Sequence, residues 1–225
     1  MYGSTGKVLR VDLNKGKVWD EALDEAVLRK FLGGTGLGVK YLVDEVDPKL
    51  DWSNPKNIFF LGSGPLGGSR IPGSASITVV TKGALTNGLT STQANGNFGA
   101  YLKWCGYDAI LVQGVSPSWK YLYLHEGGVE LRDASHLVGK DTWETEEAIK
   151  AELGYKERAM SVFSIGPAGE NMVKFSGIFG DRGHAAAHNG VGAVLGSKKL
   201  KAFAAARVPS KLQFVDPEKI GELAK

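Results

Sequence analysis

Two histidines four residues apart, in the run His184-Ala-Ala-Ala-His188, are among the few residues of this chain whose type and spacing suggest chemistry. On a helix that spacing puts both imidazoles on one face, at a metal-binding separation. A zinc site of this kind needs a Glu in the second position and a third ligand, and neither stands nearby. Beside Asn189-Gly190, where a helical pattern opens, the pair is better suited to hydrogen-bonding an anion, with a merely structural role equally open.

The run Leu32-Gly-Gly-Thr-Gly-Leu-Gly38 invites a dinucleotide reading, but Val39 occupies the third glycine position counted from Gly34 and Gly36. It also follows a helical pattern rather than a buried strand. These glycines read as a break in a helix that lets another backbone pass. Cys105, in an apolar helical stretch with no base beside it, reads as an inert core thiol rather than a nucleophile. Lys198-Lys199-Leu200-Lys201 reads as a solvated helix end. No Ser-His-Asp order, Walker loop or paired carboxylate with an evident role emerges.

The elements that must position these residues occur twice. An alternating hairpin at residues 7–18 returns at 119–132, and each copy is followed by a helix, the second opened by Asp141 with Glu144 three residues on. Each helix leads to a buried strand ending in Gly-Pro, at Gly64-Pro65 and, 102 residues later, at Gly166-Pro167. A further strand follows, at 76–81 and at 173–179. Then come matching glycine- and asparagine-rich loops that open helices, Ala94-Asn-Gly-Asn-Phe-Gly-Ala100 and Ala187-His-Asn-Gly-Val-Gly-Ala193. Each half closes on an apolar strand, at 109–112 or 202–205. Two α+β repeats, about 1–115 and 116–208, account for this order. Two equivalent loops facing each other would cradle a ligand with two similar anionic ends.

After Val208-Pro209-Ser210 the chain turns polar, and Asp216-Pro217-Glu218 starts a helix, so residues 209–225 read as a linker and the opening of a further helical domain.

Whole-chain composition narrows the partners. The 27 basic and 24 acidic residues are scattered, without the basic stripe that nucleic-acid binding requires. No apolar run approaches bilayer length and the N-terminus lacks a leader pattern, so the expectation is a cytoplasmic protein. One cysteine allows neither an internal disulfide nor an iron-sulfur cluster held by this chain alone. Glycine, 31 of 225 residues, serves tight turns and close backbone approaches.

Eight ordered blocks carry a resemblance: Gly6-Lys-Val-Leu-Arg-Val-Asp-Leu13, Phe31-Leu-Gly-Gly-Thr-Gly-Leu37, Gly64-Pro65-Leu66, Val79-Val-Thr-Lys82, Gly106-Tyr-Asp-Ala109, Arg132-Asp-Ala-Ser-His136, Ser164-Ile-Gly-Pro-Ala-Gly-Glu-Asn171 and Gly190-Val-Gly-Ala-Val-Leu-Gly-Ser-Lys-Lys-Leu-Lys-Ala202. Together they resemble the N-terminal domain of the tungsten-containing aldehyde ferredoxin oxidoreductases. The resemblance implies a duplicated α+β saddle of mixed β-sheets with flanking helices. It further implies a tungsten (or molybdenum) bis-pterin cofactor whose two phosphates are bridged by magnesium, and a complete enzyme that oxidises an aldehyde to a carboxylic acid. In the family, C-terminal domains outside this chain hold the [4Fe-4S] cluster that passes electrons to ferredoxin or an iron-sulfur subunit. A homodimer is one assembly left open, and the rival function is a non-catalytic module of the same fold that binds a pterin or another anion, or docks a subunit.

Carried over by position, the cofactor-binding candidates are Ser76, Gln93, Ala94, Asn95 and Gly96 in one repeat and His184, Ala185, Ala187, His188 and Asn189 in the other. The resemblance places magnesium on the backbone at Gln93 and Ala185. Aldehyde-oxidising members of the family have Arg where this chain has Ser76, His184 and His188, and Asn where it has Gln93. Replacing a guanidinium by an imidazole gives up a permanent, bidentate phosphate clamp, and Arg70 is a candidate source of the missing charge.

Overall fold

A computed structural model describes residues 2–225. In the first repeat the order is β1 (Lys7–Asp12), β2 (Lys17–Ala22), α1 (Glu25–Phe31), α2 (Gly34–Glu45), β3 (Phe59–Gly62), β4 (Ile77–Lys82), β5 (Leu89–Ala94), α3 (Phe98–Trp104) and β6 (Ala109–Gln113). The second runs β7 (Lys120–His125), β8 (Gly128–Asp133), α4 (Thr142–Leu153), β9 (Met160–Ser164), α5 (Pro167–Glu170), β10 (Ile178–Gly180), β11 (His184–Ala186), α6 (Val191–Lys198) and β12 (Leu200–Ala206), and α7 (Pro217–Leu223) follows.

The duplication is visible strand by strand. One six-stranded sheet runs β2-β1-β6-β3-β4-β5 and the other β8-β7-β12-β9-β10-β11. In each, the opening hairpin lies parallel to the closing strand, β1 on β6 and β7 on β12. Every other pairing is antiparallel. Strand alternation sorts the side chains into layers. Val8, Phe60, Val80 and Leu111 face Leu37, Tyr41 and Leu42 of α2. Tyr121, Val162 and Ala204 face Ile149 of α4.

The opposite faces of both sheets share one core. Phe59 stacks on Phe203 with centroids 5.8 Å apart, and Phe98 at the start of α3 meets Phe163 edge-on at 5.9 Å. Each contact joins one repeat to the other. The result is an α+β architecture of two mixed sheets with flanking helices.

The Gly33–Gly38 segment acts as a helix break. Gly33 (φ +147) and Gly34 (φ +49) turn the chain between α1 and α2, and the Gly34 amide donates to Ser63 O at 3.1 Å. A Cβ on Gly38 would lie 2.7 Å from Phe60 and Val80, so only glycine lets α2 press on the sheet there. At α4 the capping box forms as spelled, with Asp141 accepting from Trp143 N and Glu144 N and Glu144 accepting from Asp141 N.

Three expectations are corrected. The strand expected at 173–179 begins only at Ile178, because Val173 and Ser176 close successive turns before it. His184 and His188 do not share a helix: His184 lies on β11 and His188 starts a 3₁₀ turn whose central residue, Asn189, has φ +58. A strand alternates its side chains and a left-handed residue redirects the chain, so spacing by four carries no helical meaning here.

The third correction concerns the lysine run 198–201, two of whose lysines are not solvated. Lys198 and Lys201 are 1% and 0% exposed. The Lys198 ammonium reaches across to repeat-one carbonyls, Asn57 O at 2.5 Å, Gly114 O at 3.4 Å and Pro55 O at 3.5 Å. Lys201 pairs with Glu170 and donates to Lys140 O at 2.8 Å.

Candidate functional site

β5 and β11 each end their sheet, and they lie against each other where the two repeats meet. Neither was legible beforehand, since Leu-Thr-Ser-Thr-Gln-Ala and His-Ala-Ala lack a long apolar stripe. An edge strand leaves alternate backbone N–H and C=O groups pointing outward, a resource for ligands that a central strand lacks. The loop after β5 leads into α3 and the turn after β11 leads into α6, so both candidate loops emerge at this junction.

In the first loop, Ser76 Oγ donates to Asn95 Oδ1 at 2.9 Å and to Gly73 O at 3.0 Å. Gln93 and Asn95 are exposed, whereas Ala94 is buried and contributes only backbone. Gly96 has φ +114, and a Cβ there would come within 2.6 Å of Asp181 Oδ2 and 3.4 Å of His184 Cδ2. The first loop therefore touches the β10–β11 hairpin of the other repeat at its glycine.

In the second loop, His184, Ala185, Ala187 and His188 are exposed. The His188 amide donates to Thr92 Oγ1 of β5 at 3.3 Å. Asn189 is already engaged: its Oδ1 accepts from Thr86 N at 3.0 Å and its Nδ2 donates to Thr86 Oγ1 at 2.8 Å. Its side chain thus ties the second loop to the β4–β5 turn of repeat one. The helix N-termini are partly closed by their own repeats, with Gly99 N donating to Ala75 O at 3.0 Å and Gly192 N to Ser176 O at 2.9 Å.

Asp181, which sequence reasoning missed, sits at the center of the junction. Its Oδ2 accepts from Asn97 N at 2.6 Å and from Ser161 Oγ at 2.8 Å. Burial raises its carboxyl above the usual carboxylate range, and the hydrogen bonds from Asn97 and Ser161 pull only partly the other way. The preceding signal, Gly180-Asp181-Arg182-Gly183, reads as a turn, and nothing in the sequence says that the turn reaches into the other repeat.

Elsewhere, Cys105 caps α3 and burial pushes its thiol up to about 12, which suits an inert thiol. Arg70 is exposed and lines a cleft of about 660 Å³ with Phe214, Pro217 and Glu218, facing α7. Among the described residues no group of three His, Cys, Asp or Glu side chains is placed to hold a metal ion. No helix among them is long and apolar enough to cross a membrane.

The site that results is two edge-strand-borne loops, each fastened to the opposite repeat, with the imidazoles of His184 and His188 exposed beside them. An anion finds hydrogen-bond donors here, and a hard cation finds carbonyl oxygens.

Known proteins share this fold. The aldehyde ferredoxin oxidoreductase N-terminal domain family matches residues 8–207. The tungsten-containing aldehyde ferredoxin oxidoreductase of Thermococcus kodakarensis is 46% identical over 99% of this chain and 38% of its own length. The WOR-like subunit of an aliphatic sulfonate oxidoreductase from Pyrococcus furiosus is 36% identical over 100% of this chain and 38% of its own length. Among solved structures, the BamBC active site complex of benzoyl coenzyme A reductase, bound to 1,5-dienoyl-CoA, superposes with a TM-score of 0.92. It is 38% identical and covers 99% of this chain and 34% of that one. The chain thus spans about a third of the length of these relatives. Its sequence and its two-sheet topology together show that it belongs to the aldehyde ferredoxin oxidoreductase N-terminal domain family.

Proposed function

We propose that this chain is the cofactor-seating domain of a tungsten-pterin oxidoreductase. The observation that carries the reading is the meeting of two equivalent loops, one from each repeat, at the junction of edge strands β5 and β11. A cofactor with two pterin phosphates presents two like anionic ends, and a pseudo-symmetric pair of loops offers two like receptors.

The donor set fits such a group. Backbone carbonyls at Gln93 and Ala185 would be hard oxygen ligands of the kind magnesium takes, and both residues lie exposed on edge strands. The side chains of Ser76 and Asn95 and the backbone of Gly96 would hold one phosphate end. His184 and His188, with the backbone of Ala185 and Ala187, would hold the other. Ala94 and Asn189 shape the two loops from beneath.

When bound, the tungsten supplies the redox chemistry. This chain's own part is to bind and orient. Oxidation of an aldehyde to a carboxylic acid is the reaction we assign to the complete protein, because its identity to the aldehyde-oxidising relatives exceeds that to the sulfonate and benzoyl coenzyme A proteins. Electrons would leave through a [4Fe-4S] cluster held by C-terminal domains, toward ferredoxin or an iron-sulfur subunit, since Cys105 is the chain's one cysteine. Residues 209–225, with α7 capped by Asp216, are assigned as the lead into those domains.

The test is elemental and pterin analysis of the complete protein purified anaerobically. Tungsten with about two pterins per chain supports the reading, as expected from a bis-pterin site. A full-length protein containing neither metal nor pterin, yet retaining the fold, would instead establish the non-catalytic module.

A further inference from the structure

The two candidate loops are fastened reciprocally. Loop one of the first repeat is held by the β10–β11 hairpin of the second, through Asn97 N to Asp181 Oδ2 at 2.6 Å. Loop two of the second repeat is held by the β4–β5 turn of the first, through Thr86 N to Asn189 Oδ1 at 3.0 Å. Each bond pairs a backbone amide of one repeat with a side-chain oxygen of the other.

The first of these bonds is built at a conformational cost. Asp181 (φ +45), Arg182 (φ +61) and Gly183 (φ +121) are consecutive left-handed residues at the hairpin tip. Such positions persist in non-glycine residues only where their surroundings hold them. Here Arg182 N donates to Glu146 Oε2 at 3.2 Å, Asp181 N donates to Val162 O at 3.2 Å, and Ser161 Oγ donates to the carboxyl at 2.8 Å. The receiving side is equally specialised, since Gly96 leaves no room for a Cβ beside Asp181 Oδ2. A strained turn, a buried carboxyl and a glycine thus converge on a single amide, the one immediately before α3.

We propose that Asp181 is a positioning residue: from the second repeat it fixes the conformation in which the first repeat's loop, 94–97, presents its backbone to the anionic cofactor. Thr86 of the first repeat does the converse for 187–190 by holding the Asn189 side chain, so neither loop takes its binding shape unless both repeats are docked. The inference rests on the cofactor-seating function proposed above. It makes occupancy of the two phosphate positions interdependent, because loosening one clamp relaxes the junction both loops share. Asp181 itself is turned inward, toward Ser161 and Asn97.

The experiment uses the complete protein, purified anaerobically as wild type, Asp181→Ala and Asp181→Asn. Two readouts are taken: tungsten and pterin per chain, and amide hydrogen exchange over residues 94–99. Wild type should protect the Asn97 amide. Asp181→Ala should raise its exchange at least tenfold and lower cofactor content in parallel. Asp181→Asn, which keeps a carbonyl oxygen facing Asn97, should restore most of both. Wild-type exchange and wild-type cofactor content in Asp181→Ala would overturn the proposal. If that variant does not fold, exchange of Asn97 in the wild type at the rate of an open loop would overturn it just as directly. Wild type lacking tungsten and pterin would sink the cofactor reading instead, and the exchange comparison would still decide whether Asp181 fixes the loop.

Discussion

At the scale of single residues, the chain shows its chemistry through what is buried as much as through what is exposed. Lys198 has no carboxylate partner among the described residues, only carbonyl oxygens, and burial lowers its ammonium to about 7 from the ordinary 10.5. A folded pKa below the unfolded one means that between roughly pH 7 and 10.5 the unfolded chain holds the extra proton. Stability therefore rises with pH across that window, by at most about 1.4 kcal/mol per unit, and is lower below it. Lys198→Met should remove this dependence. Unfolding midpoints of wild type and variant are to be compared between pH 6.5 and 9.5, and parallel curves would refute the assignment. Gly96→Ala is the second residue-scale test. With φ +114 and Asp181 against the missing Cβ, it should cost roughly 1–3 kcal/mol, read as a lower denaturant midpoint. Legibility also divides at this scale. The loops at 94–97 and 187–190 were found because glycine and asparagine recur at matching offsets. Asp181 and Thr86 were not found and Lys198 was misread, because each acts across the repeats and sequence spacing carries no trace of such a partner.

At the scale of elements, local physics was legible wherever it sufficed to form the element. The β1–β2 and β7–β8 hairpins, the Asp141 capping box and the Gly-Pro strand ends all form where their patterns stand. β5 and β11 escaped because their residues are polar or small, and they are strands only because β4 and β10 offer an open edge. Tertiary context overrode propensity there. The lysine run from 198 was misread for the same reason: charge at a helix end usually meets water, but α6 ends inside the molecule. The capping box permits an element-scale prediction. Asp141→Ala removes the acceptor for Trp143 N and Glu144 N and should cost ~1 kcal/mol. Amide exchange in the first turn of α4 should rise with it, while β1–β6 stays unchanged. Equal loosening of both sheets would mean that α4 is not anchored locally.

At the scale of the whole molecule, duplication raises the question of whether either repeat is a folding unit. The internal symmetry of strand order suggests that it could be, since each repeat has a complete six-stranded sheet and its own helical cover. The packing argues otherwise. The largest cluster of buried side chains belongs to neither repeat, and it takes in Leu9, Phe59, Phe98 and Val112 from one with Leu122, Phe163, Leu195 and Phe203 from the other. A separated repeat would expose one whole face of its sheet, and each of the four buried phenylalanines would lose burial worth about 1.5–3 kcal/mol. Lys198 would lose its carbonyl partners and Asp181 its amide. Losses of that size are comparable with the whole stability margin of an ordinary domain, roughly 5–15 kcal/mol. We therefore expect polypeptides 1–115 and 116–208, made separately, to show no cooperative unfolding transition and to associate through the bared faces. Co-expressed, they should reassemble into a single species that unfolds in one transition, with signals from Trp104 in one half and Trp143 in the other coinciding. A half that unfolds cooperatively alone would show that its outer layer suffices. The site would then be assembled by docking two preformed modules, and the cross-repeat clamps would be recognition contacts between finished parts rather than part of the folding of a single core.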